Sequence, residues 1–221
     1  MIPQHLLTPG YIHMVVGTMD SFKSLELILI ARHIEHAVGM QVIGLKPLVD
    51  TYSVNIQTDF GGADGKPIEF TPTIQYDEQN PFGVLDELVR YDPANTLIIH
   101  DEDHMVPQIA NLMREIRMMG FPQVGAALQM LFNGDSFMNI AEALTLANSM
   151  EVKHAWCKLP GIRCRAPAYF TQRLHNGNPD SYDSPVIIPK GTPGYSYHPA
   201  CYKHHSIPGR PRYKPSHIPD R

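Results

Sequence analysis

The stretch YIHMVVGTMDSFKSLEL, residues 11–27, decides the fold. It contains a short β-rich run that ends at Gly17, and an apolar pattern with a period close to 3.6 follows directly and continues to Gly39. A second apolar run, residues 41–45, stops at Lys46-Pro47, because proline interrupts a strand. A strand, a glycine turn, a helix and a second strand form one βαβ unit, which predicts a parallel sheet with a right-handed crossover.

The same alternation continues to about residue 150. The expected segments are a hairpin or a mobile loop at 51–75, a helix at 82–90, a strand at 96–99, a helix at 107–119, a strand at 123–128 and a helix at 140–150. Alternation of this kind predicts an α/β fold, namely a three-layer domain with a central parallel sheet.

The composition is that of a globular protein. Apolar residues make up 43% and charged residues 18% of the 221 residues, and the formal net charge is -4. This balance gives no field that would attract nucleic acid or an anionic membrane, so we expect neither as a direct partner. No apolar run approaches the ~20 residues of a membrane helix, and the first ten residues show no basic region ahead of an apolar run. The odd number of cysteines, three, favours a reducing, cytoplasmic compartment.

The character of the chain changes at about residue 152. All three cysteines, the only tryptophan and a series of prolines follow this point. We therefore expect an α/β domain at 1–151, a small irregular lobe at 152–205 and a proline-rich tail at 206–221. Such a tail could contact a protein partner.

Residues 17–24 are a candidate phosphate-binding loop. Their spacing is that of G-x-x-x-x-G-K-[ST], in which backbone N–H groups cradle phosphates, Lys reaches the β/γ oxygens and Ser binds Mg²⁺. The residues concerned are Gly17, Thr18, Met19, Asp20, Ser21, Phe22, Lys23 and Ser24. Phe22 stands where the second glycine belongs, and we expect its side chain to crowd the loop. The alternative is an ordinary strand-to-helix turn with Ser21 or Asp20 as the helix N-cap.

An acidic pair follows the apolar run TLII, residues 96–99. Asp101 stands where a Walker B acid would join Ser24 in the Mg²⁺ shell. Glu102 comes next, at the carboxyl end of a parallel strand, where ligands usually bind in open α/β sheets. The alternative is a solvated acidic turn that caps the following helix.

The cysteines suggest a metal site in the small lobe. Cys157 and Cys164 form one pair and His198 with Cys201 a second, which together would make a Cys₃His zinc site. A structural zinc ion would stabilise a lobe that is too small to be held by burial alone. His204 or His205 could replace His198, and the alternative is three buried thiols beside a surface histidine.

Several motifs in order resemble those of the zinc-containing thymidine kinases, the type found in animals, many bacteria, poxviruses and phages. GTMDSFKSLEL is similar to G-P-M-F-S-G-K-[ST]-T-E-L, LKPLVD to F-K-P-x-x-D, HDEDHMV to I-D-E-x-Q-F-F, AALQMLFNGDSFM to A-A-L-D-G-T-F-Q-R-K-P-F-G, and AYFTQRL to A-Y-T-K-R-L. The family's final C-x-x-C-Y is matched by His198, Cys201 and Tyr202. The resemblance runs from about residue 11 to 203.

The resemblance implies a P-loop NTPase-like (RecA-like) fold with a degenerate phosphate loop and a zinc-binding lobe that carries a lasso loop. It implies transfer of the ATP γ-phosphoryl group to the 5′-hydroxyl of thymidine or a related nucleoside, with Mg²⁺. Glu102 would be the general base, Lys23 the clamp on the phosphates, and Asp101 and Ser24 the Mg²⁺ shell. The loop 186–197 would hold the base. The residues expected around the nucleoside are Met105, Leu128, Phe132, Phe137 and Tyr195.

The family resemblance further implies a homo-oligomer, a tetramer, in the cytoplasm, or in the host cytoplasm for a virus or phage. The sequence departs from the family at Phe22, at Gln129-Met130 in place of Asp-Gly, and at His104 in place of an amide. A second hypothesis is therefore a kinase-derived protein that has lost catalysis and serves as a binding or assembly subunit. A third is a different phosphotransferase or NTPase of the same loop type.

Overall fold

The structure, a computed structural model, describes residues 4–61, 65–188 and 190–211. Its strands, numbered along the chain, are β1 (Ile12–Gly17), β2 (Gln41–Pro47), β3 (Ile56–Gly61), β4 (Pro67–Phe70), β5 (Thr73–Tyr76), β6 (Thr96–His100), β7 (Gln123–Ala127), β8 (Ser149–Lys153), β9 (Ala155–Trp156), β10 (Pro167–Ala168), β11 (Phe170–His175), β12 (Asn178–Pro179) and β13 (Tyr195–Ala200). The α-helices are α1 (Lys23–His33), α2 (Leu85–Leu88), α3 (Ile109–Met118) and α4 (Met138–Leu146). A π-helical turn at Ile34–Val38 extends α1, and 3₁₀ turns lie at Gln4–Leu7, Pro81–Val84, Pro93–Asn95 and Asp103–Met105.

Six strands form a central sheet in the order β5-β2-β6-β7-β1-β8. Each neighbouring pair is parallel. The predicted α/β fold with a central parallel sheet is thus confirmed. Because the strands are parallel, the carboxyl ends of β1, β2 and β6 lie at one edge of the sheet, where ligands bind in such folds.

The sheet is covered on both faces. One apolar core joins the sheet to α3 and α4, with Ile116 and Phe121 fully buried in it. The other core joins the opposite face to α1 and to Phe70 of the β3–β4 hairpin. Covering both faces explains why the strands are near-continuous apolar runs. It also gives the three layers that the alternation predicts.

Two edge strands differ from the sequence prediction. The helix expected at 140–150 ends at Leu146, and Ser149–Lys153 forms the edge strand β8. Within 51–75, strands β3 and β4 form the expected antiparallel hairpin, while Thr73–Tyr76 adds β5 to the other edge of the sheet. An edge strand pairs on one side only. It is therefore short or half-exposed, and it lacks the apolar run of a central strand.

The C-terminal lobe consists of short antiparallel pieces. Its sheets have the orders β12-β11-β13 and β10-β9. The first part of the proline-rich tail returns to the protein, since Tyr182 N donates to Pro208 O at 2.9 Å. Residues 212–221 of the tail, and any partner contact predicted for them, lie outside the described residues. Within the described ranges, no helix combines the length and the apolar character needed to cross a membrane.

Candidate active site

A cavity of about 610 Å³ opens where the carboxyl ends of β1, β2 and β6 face the C-terminal lobe. It collects most of the residues that the sequence analysis singled out. The predicted residues that line it are Met19, Asp20, Ser21, Phe22, Lys23, Ser24, Asp101, Glu102, Met105, Leu128, Phe132 and Phe137. Val186, Ile187 and Ile188 of the expected base-holding loop line it as well.

The candidate phosphate loop is a closed turn between β1 and α1. Lys23 Nζ and Ser21 Oγ both donate to the Thr18 carbonyl at 2.8 Å. Gly17 is required for close approach, because a Cβ there would lie 2.3 Å from the carbonyl oxygen of Lys153. Met19 N donates to Thr171 Oγ1 at 3.1 Å, which fastens the loop to the C-terminal lobe.

Phe22 takes a backbone conformation that favours glycine. Its φ of 62° lies in the left-handed region, and it occupies the N-cap position of α1 without a side-chain capping bond. Its ring is 52% exposed and packs edge-on against Phe60 of the hairpin, with the centroids 5.9 Å apart. Phe22 lines the cavity, so the expected crowding of the loop by its side chain stays a prediction. The alternative in which Ser21 or Asp20 is the N-cap is wrong, because Phe22 takes that position.

The conformation of Phe22 leads to a stability prediction. A Cβ in the left-handed region costs roughly 1–2 kcal/mol, a cost that glycine does not have. Phe22→Ala and Phe22→Gly both remove the contact with Phe60, so the comparison isolates the backbone. We expect Phe22→Gly to be about 1 kcal/mol more stable than Phe22→Ala in chemical denaturation. Equal stabilities would contradict a left-handed residue 22.

The acidic pair lies directly beside Lys23. Asp101 Oδ1 accepts from Glu102 N at 2.9 Å, and the Ser24 hydroxyl also hydrogen-bonds to Asp101. Burial and the charge of Asp101 raise the pKa of Glu102 to about 8. Burial likewise raises the pKa of Asp101 and lowers that of Lys23. The site therefore holds a proton acceptor that titrates close to neutral pH, next to a cation.

His104 is a neutral ring in this wall of the cavity. Burial, followed by the charge of Lys23, lowers its pKa to about 3. Leu128 N lies 3.4 Å from Nδ1. Because a backbone N–H can only donate, Nδ1 is the acceptor and Nε2 carries the proton. Phe137 packs against the ring at 4.9 Å between centroids.

A buried histidine–aspartate hydrogen bond lies beneath the acidic turn. His100 Nδ1 is 2.7 Å from Asp103 Oδ2, and both side chains are almost fully buried. Gly125 on the neighbouring strand makes the space, because a Cβ there would lie 2.3 Å from His100 Cε1 and 2.6 Å from Asp103 Oδ2. Glu102 lies between His100 and Asp103 in the sequence, and its backbone φ of 59° falls in the left-handed region. The pair thus fixes the turn that carries the two acids.

Gly125→Ala should destabilise the protein by about 1–3 kcal/mol, the usual cost of overpacking a filled interior. The added methyl group would collide with a buried ring and a buried carboxylate, and neither can move into solvent. The matched control is Gly83→Ala, since a Cβ at Gly83 meets no atom within 4 Å. Denaturant unfolding of both variants measures the difference. Equal losses would show that the space at Gly125 is not constrained.

The structure brings the three predicted cysteines together, with His204, one of the two alternative histidines, in the place expected for His198. Ligand atoms of Cys157, Cys164, Cys201 and His204 all lie within 4.8 Å of one another. His198 is not in this cluster. Its Nε2 faces Ser196 Oγ at 3.1 Å on β13.

The spacing of the cluster is that of a tetrahedral site. His204 Nδ1 is 3.5 Å from Cys157 Sγ and 3.4 Å from Cys201 Sγ, and Cys164 Sγ is 3.9 Å from Cys201 Sγ. Zinc bonds of about 2.3 Å to sulfur and about 2.0 Å to nitrogen give tetrahedral edges of about 3.5–3.8 Å. These three separations match that geometry, so the cluster could bind a structural zinc ion.

Comparison with known proteins identifies the family. The sequence profile described as Thymidine kinase matches residues 10–205. The chain belongs to the thymidine kinase family. It is also 27% identical over 204 residues to the protein named Thymidine kinase from Coprothermobacter proteolyticus (strain ATCC 35245 / DSM 5265 / OCM 4 / BT), covering 91% of this chain and 93% of that relative.

Cys201 and His204 form a C-x-x-H pair at the end of the C-terminal lobe. The two N–H groups of His204 and His205 donate to the Cys201 carbonyl at 3.0 Å, which closes the turn between the ligands. The sequence analysis gave His204 as an alternative to His198, and the equal spacing of both histidines from Cys201 left the choice open.

The aromatic residue at the base-holding loop also shifts by two positions. Tyr195 does not line the cavity and stacks on His175 instead, with the centroids 4.4 Å apart. Tyr197 lines the cavity, and its hydroxyl donates to the Ile188 carbonyl at 2.5 Å. Both tyrosines lie on β13, two residues apart, and residues at this spacing share a face of the strand. The strand periodicity in the sequence therefore does not distinguish them.

Sequence reasoning missed Lys46. This lysine ends β2, is only 2% exposed, and pairs with Asp50 Oδ2 at 2.9 Å. Its Nζ also donates to the carbonyls of Ser53 and Asn55. A lysine inside an apolar strand run, just before proline, was the available signal, because buried lysines are rare unless paired. Lys46 and Asp50 both line the cavity.

Proposed function

We propose that this protein is an ATP-dependent kinase that transfers the γ-phosphoryl group to the 5′-hydroxyl of thymidine. The observation that carries the proposal is the convergence, in one cavity, of the loop 19–24, the acids Asp101 and Glu102, and an apolar pocket. Membership of the thymidine kinase family and the similarity to a named thymidine kinase support it.

Glu102 is the proposed general base. With a pKa of about 8 it is close to the pH range in which a base works best. It takes the proton of the 5′-hydroxyl while that oxygen bonds to the γ-phosphorus and the bond to the ADP oxygen breaks. Burial and the charge of Asp101 raise the pKa of Glu102. The surroundings that position this carboxylate therefore also make it a stronger base.

Lys23 is the proposed clamp on the phosphates. Its Nζ lies in the loop, bonded to the Thr18 carbonyl at 2.8 Å, and the nearby acids are Glu102, Asp101 and Asp20. Phosphoryl transfer depends mainly on position and on neutralised charge, so the clamp contributes as much as the base. The N–H groups at the start of α1 would add to the anion site.

The residues present fit a magnesium ion bound together with ATP. The Ser24 hydroxyl and the Asp101 carboxylate hydrogen-bond to each other, and both are oxygen donors of the type that Mg²⁺ prefers. Ser24 and Asp101 would hold the ion, which would neutralise charge on the transferring phosphate. Zinc in the cluster of Cys157, Cys164, Cys201 and His204 is the second proposed metal, with a structural role.

The proposed thymine site is the apolar end of the cavity. Met105, Leu128, Phe132 and Phe137 line it, as do residues 186–188 of the loop. An apolar slot with backbone polar groups at its edge suits a flat base that has polar groups only around its rim.

The test is a kinase assay on the purified, zinc-replete protein with ATP, Mg²⁺ and thymidine, and with deoxycytidine and deoxyuridine as competing acceptors. We expect phosphorylation with thymidine preferred. Phe22→Gly is assayed in parallel, because Phe22 is the departure that favours the alternative of a catalytically inactive binding subunit. ATP binding that appears only in this variant, with no turnover by the natural protein, would establish the alternative.

A further inference from the structure

Arg173 on β11 is a fully buried cation that does not line the cavity. It is 0% exposed and ranks among the largest completely buried side chains of the described residues. Its Nε donates to Asp180 Oδ2 at 2.7 Å. Asp180 is in turn held by Ser181 N at 2.9 Å and by Ser184 Oγ at 2.6 Å. Although burial opposes it, the hydrogen bonds from Ser184 and Arg173 keep the pKa of Asp180 below its usual value.

Burying such a pair is not in itself a source of stability. Taking a guanidinium and a carboxylate out of water costs about as much as their attraction returns, and apolar residues often do as well. The role of Arg173 therefore lies in its contacts other than the one with Asp180. These contacts depend on the planar, forked shape of the guanidinium.

Those contacts join two walls of the cavity. Arg173 Nη1 donates to the Val186 carbonyl at 3.2 Å, at the start of the loop wall. The face of the guanidinium lies over the Phe132 ring, with Cζ 3.4 Å from the centroid. Val186 and Phe132 both line the cavity, but they come from different parts of the chain. One rigid group thus sets the distance between them.

Each wall is fixed from a second side. His205 Nε2 donates to the Phe132 carbonyl at 2.8 Å, and Tyr197 ties down Ile188. Burial raises the pKa of Tyr197 and the Arg173 guanidinium opposes the rise, so the two groups are neighbours. Arg173 thus contacts both the loop wall and the Phe132 ring.

We propose that Arg173 is a positioning residue for the nucleoside, which sets the width of the base slot between Phe132 and residues 186–188. The inference rests on the proposed function, and it makes nucleoside specificity depend on a side chain that touches no substrate. Lysine cannot replace it, because a single ammonium can pair with Asp180 but offers neither the fork for Val186 nor a planar face for Phe132.

The experiment compares Arg173→Lys with the natural protein in steady-state kinetics. We expect the KM for thymidine to rise about tenfold or more, with the KM for ATP within twofold, because the phosphate loop has no contact with Arg173. Asp180→Asn keeps an acceptor of the same shape, and it should raise the thymidine KM by a smaller factor. It also serves as the test variant if Arg173→Lys does not fold.

Arg117→Lys is the matched control. Arg117 likewise uses its guanidinium to join separate segments, donating to the carbonyls of Gly10 and Leu146 and to the Asn148 side chain at 2.7–2.8 Å, but none of these residues lines the cavity. It therefore reports the general cost of losing a forked arginine. A thymidine KM that changes no more in Arg173→Lys than in Arg117→Lys, or that changes together with the ATP KM, overturns the proposal.

A second readout needs no substrate. Amide hydrogen exchange in 186–188 should be at least tenfold faster in Arg173→Lys than in the natural protein, and unchanged in Arg117→Lys. If the natural protein neither binds nor phosphorylates thymidine, the proposed function fails, while faster exchange still supports the positioning of the loop by Arg173. An unchanged exchange rate in 186–188 overturns the proposal that Arg173 positions the loop.

Discussion

Glu102→Gln should lower kcat for thymidine phosphorylation by about 10²–10⁴-fold, the range expected when a positioned general base is lost. Glutamine keeps the shape of the side chain and its hydrogen-bonding reach but cannot take the hydroxyl proton. The KM for ATP should change little, because Lys23 and the loop 17–24 are untouched. Single-turnover assays with excess enzyme separate the chemical step from product release.

The same substitution should stabilise the protein. The pKa of Glu102 is about 8 in the folded protein against an ordinary value of 4.5 for glutamate, so folding favours the protonated form. The stability from this group is fully present below about pH 4.5 and is lost as the pH rises through about 8. Glutamine does not titrate, so the variant should gain stability over the natural protein across this window.

The size of that gain is limited by solvent. The Glu102 side chain keeps 30% of its surface exposed, which screens the buried charge. We expect a gain on the order of 1 kcal/mol at pH 8, or about 2–4 °C in Tm for a chain of this length. Thermal unfolding is measured without Mg²⁺ and nucleotide, at pH 5 and pH 8, with the exposed Glu115→Gln as the control.

Opposite signs in the two readouts distinguish a catalytic acid from a structural one. A residue that only maintains the fold would lose both stability and activity when it is replaced. Glu102→Gln with full activity would eliminate this residue as the base. Lower activity together with lower stability would mean that the acidic turn, and not the chemistry, had been damaged.

The central fold could be predicted because its signals are local. A strand that is buried on both faces must be an apolar run, and a glycine before a periodic segment marks the turn into a helix. These signals located β1, β2, β6 and β7. The edge strands β5 and β8 were missed, since half-exposed residues such as Met150 follow neither template clearly.

The candidate site could be predicted as a set of residues but not as a set of conformations. Lys23, Asp101 and Glu102 were found from spacing alone. The left-handed backbone of Phe22 could not be predicted from spacing, because phenylalanine rarely adopts this conformation. Only the closed loop, which is fastened to Thr171, imposes it. Lys46 and Arg173 were missed for a related reason. Each pairs with an aspartate, Asp50 or Asp180, but their other acceptors include the backbone carbonyls of Ser53 and Val186, which carry no sequence signal.

His204→Ala should release the zinc ion and destabilise the C-terminal lobe. Three of the four proposed ligands would remain, but an open site binds zinc far more weakly than a closed tetrahedral one. Structural zinc contributes about 10–16 kcal/mol of binding free energy, so the loss of one ligand should cost at least ~3 kcal/mol of the free energy of unfolding. Metal content by atomic absorption and thermal unfolding with and without a chelator measure both effects.

His198→Ala is the matched control, because it removes a nearby histidine of the same lobe that lies outside the cluster. It should keep one zinc per chain and its unfolding temperature. His204→Ala should also raise the thymidine KM, since His205 follows directly and its Nε2 holds the Phe132 carbonyl at 2.8 Å. The reverse result, zinc lost in His198→Ala and kept in His204→Ala, would place the ligand pair at 198–201. It would also separate the metal from the wall of the nucleoside pocket, because no ligand would then adjoin His205.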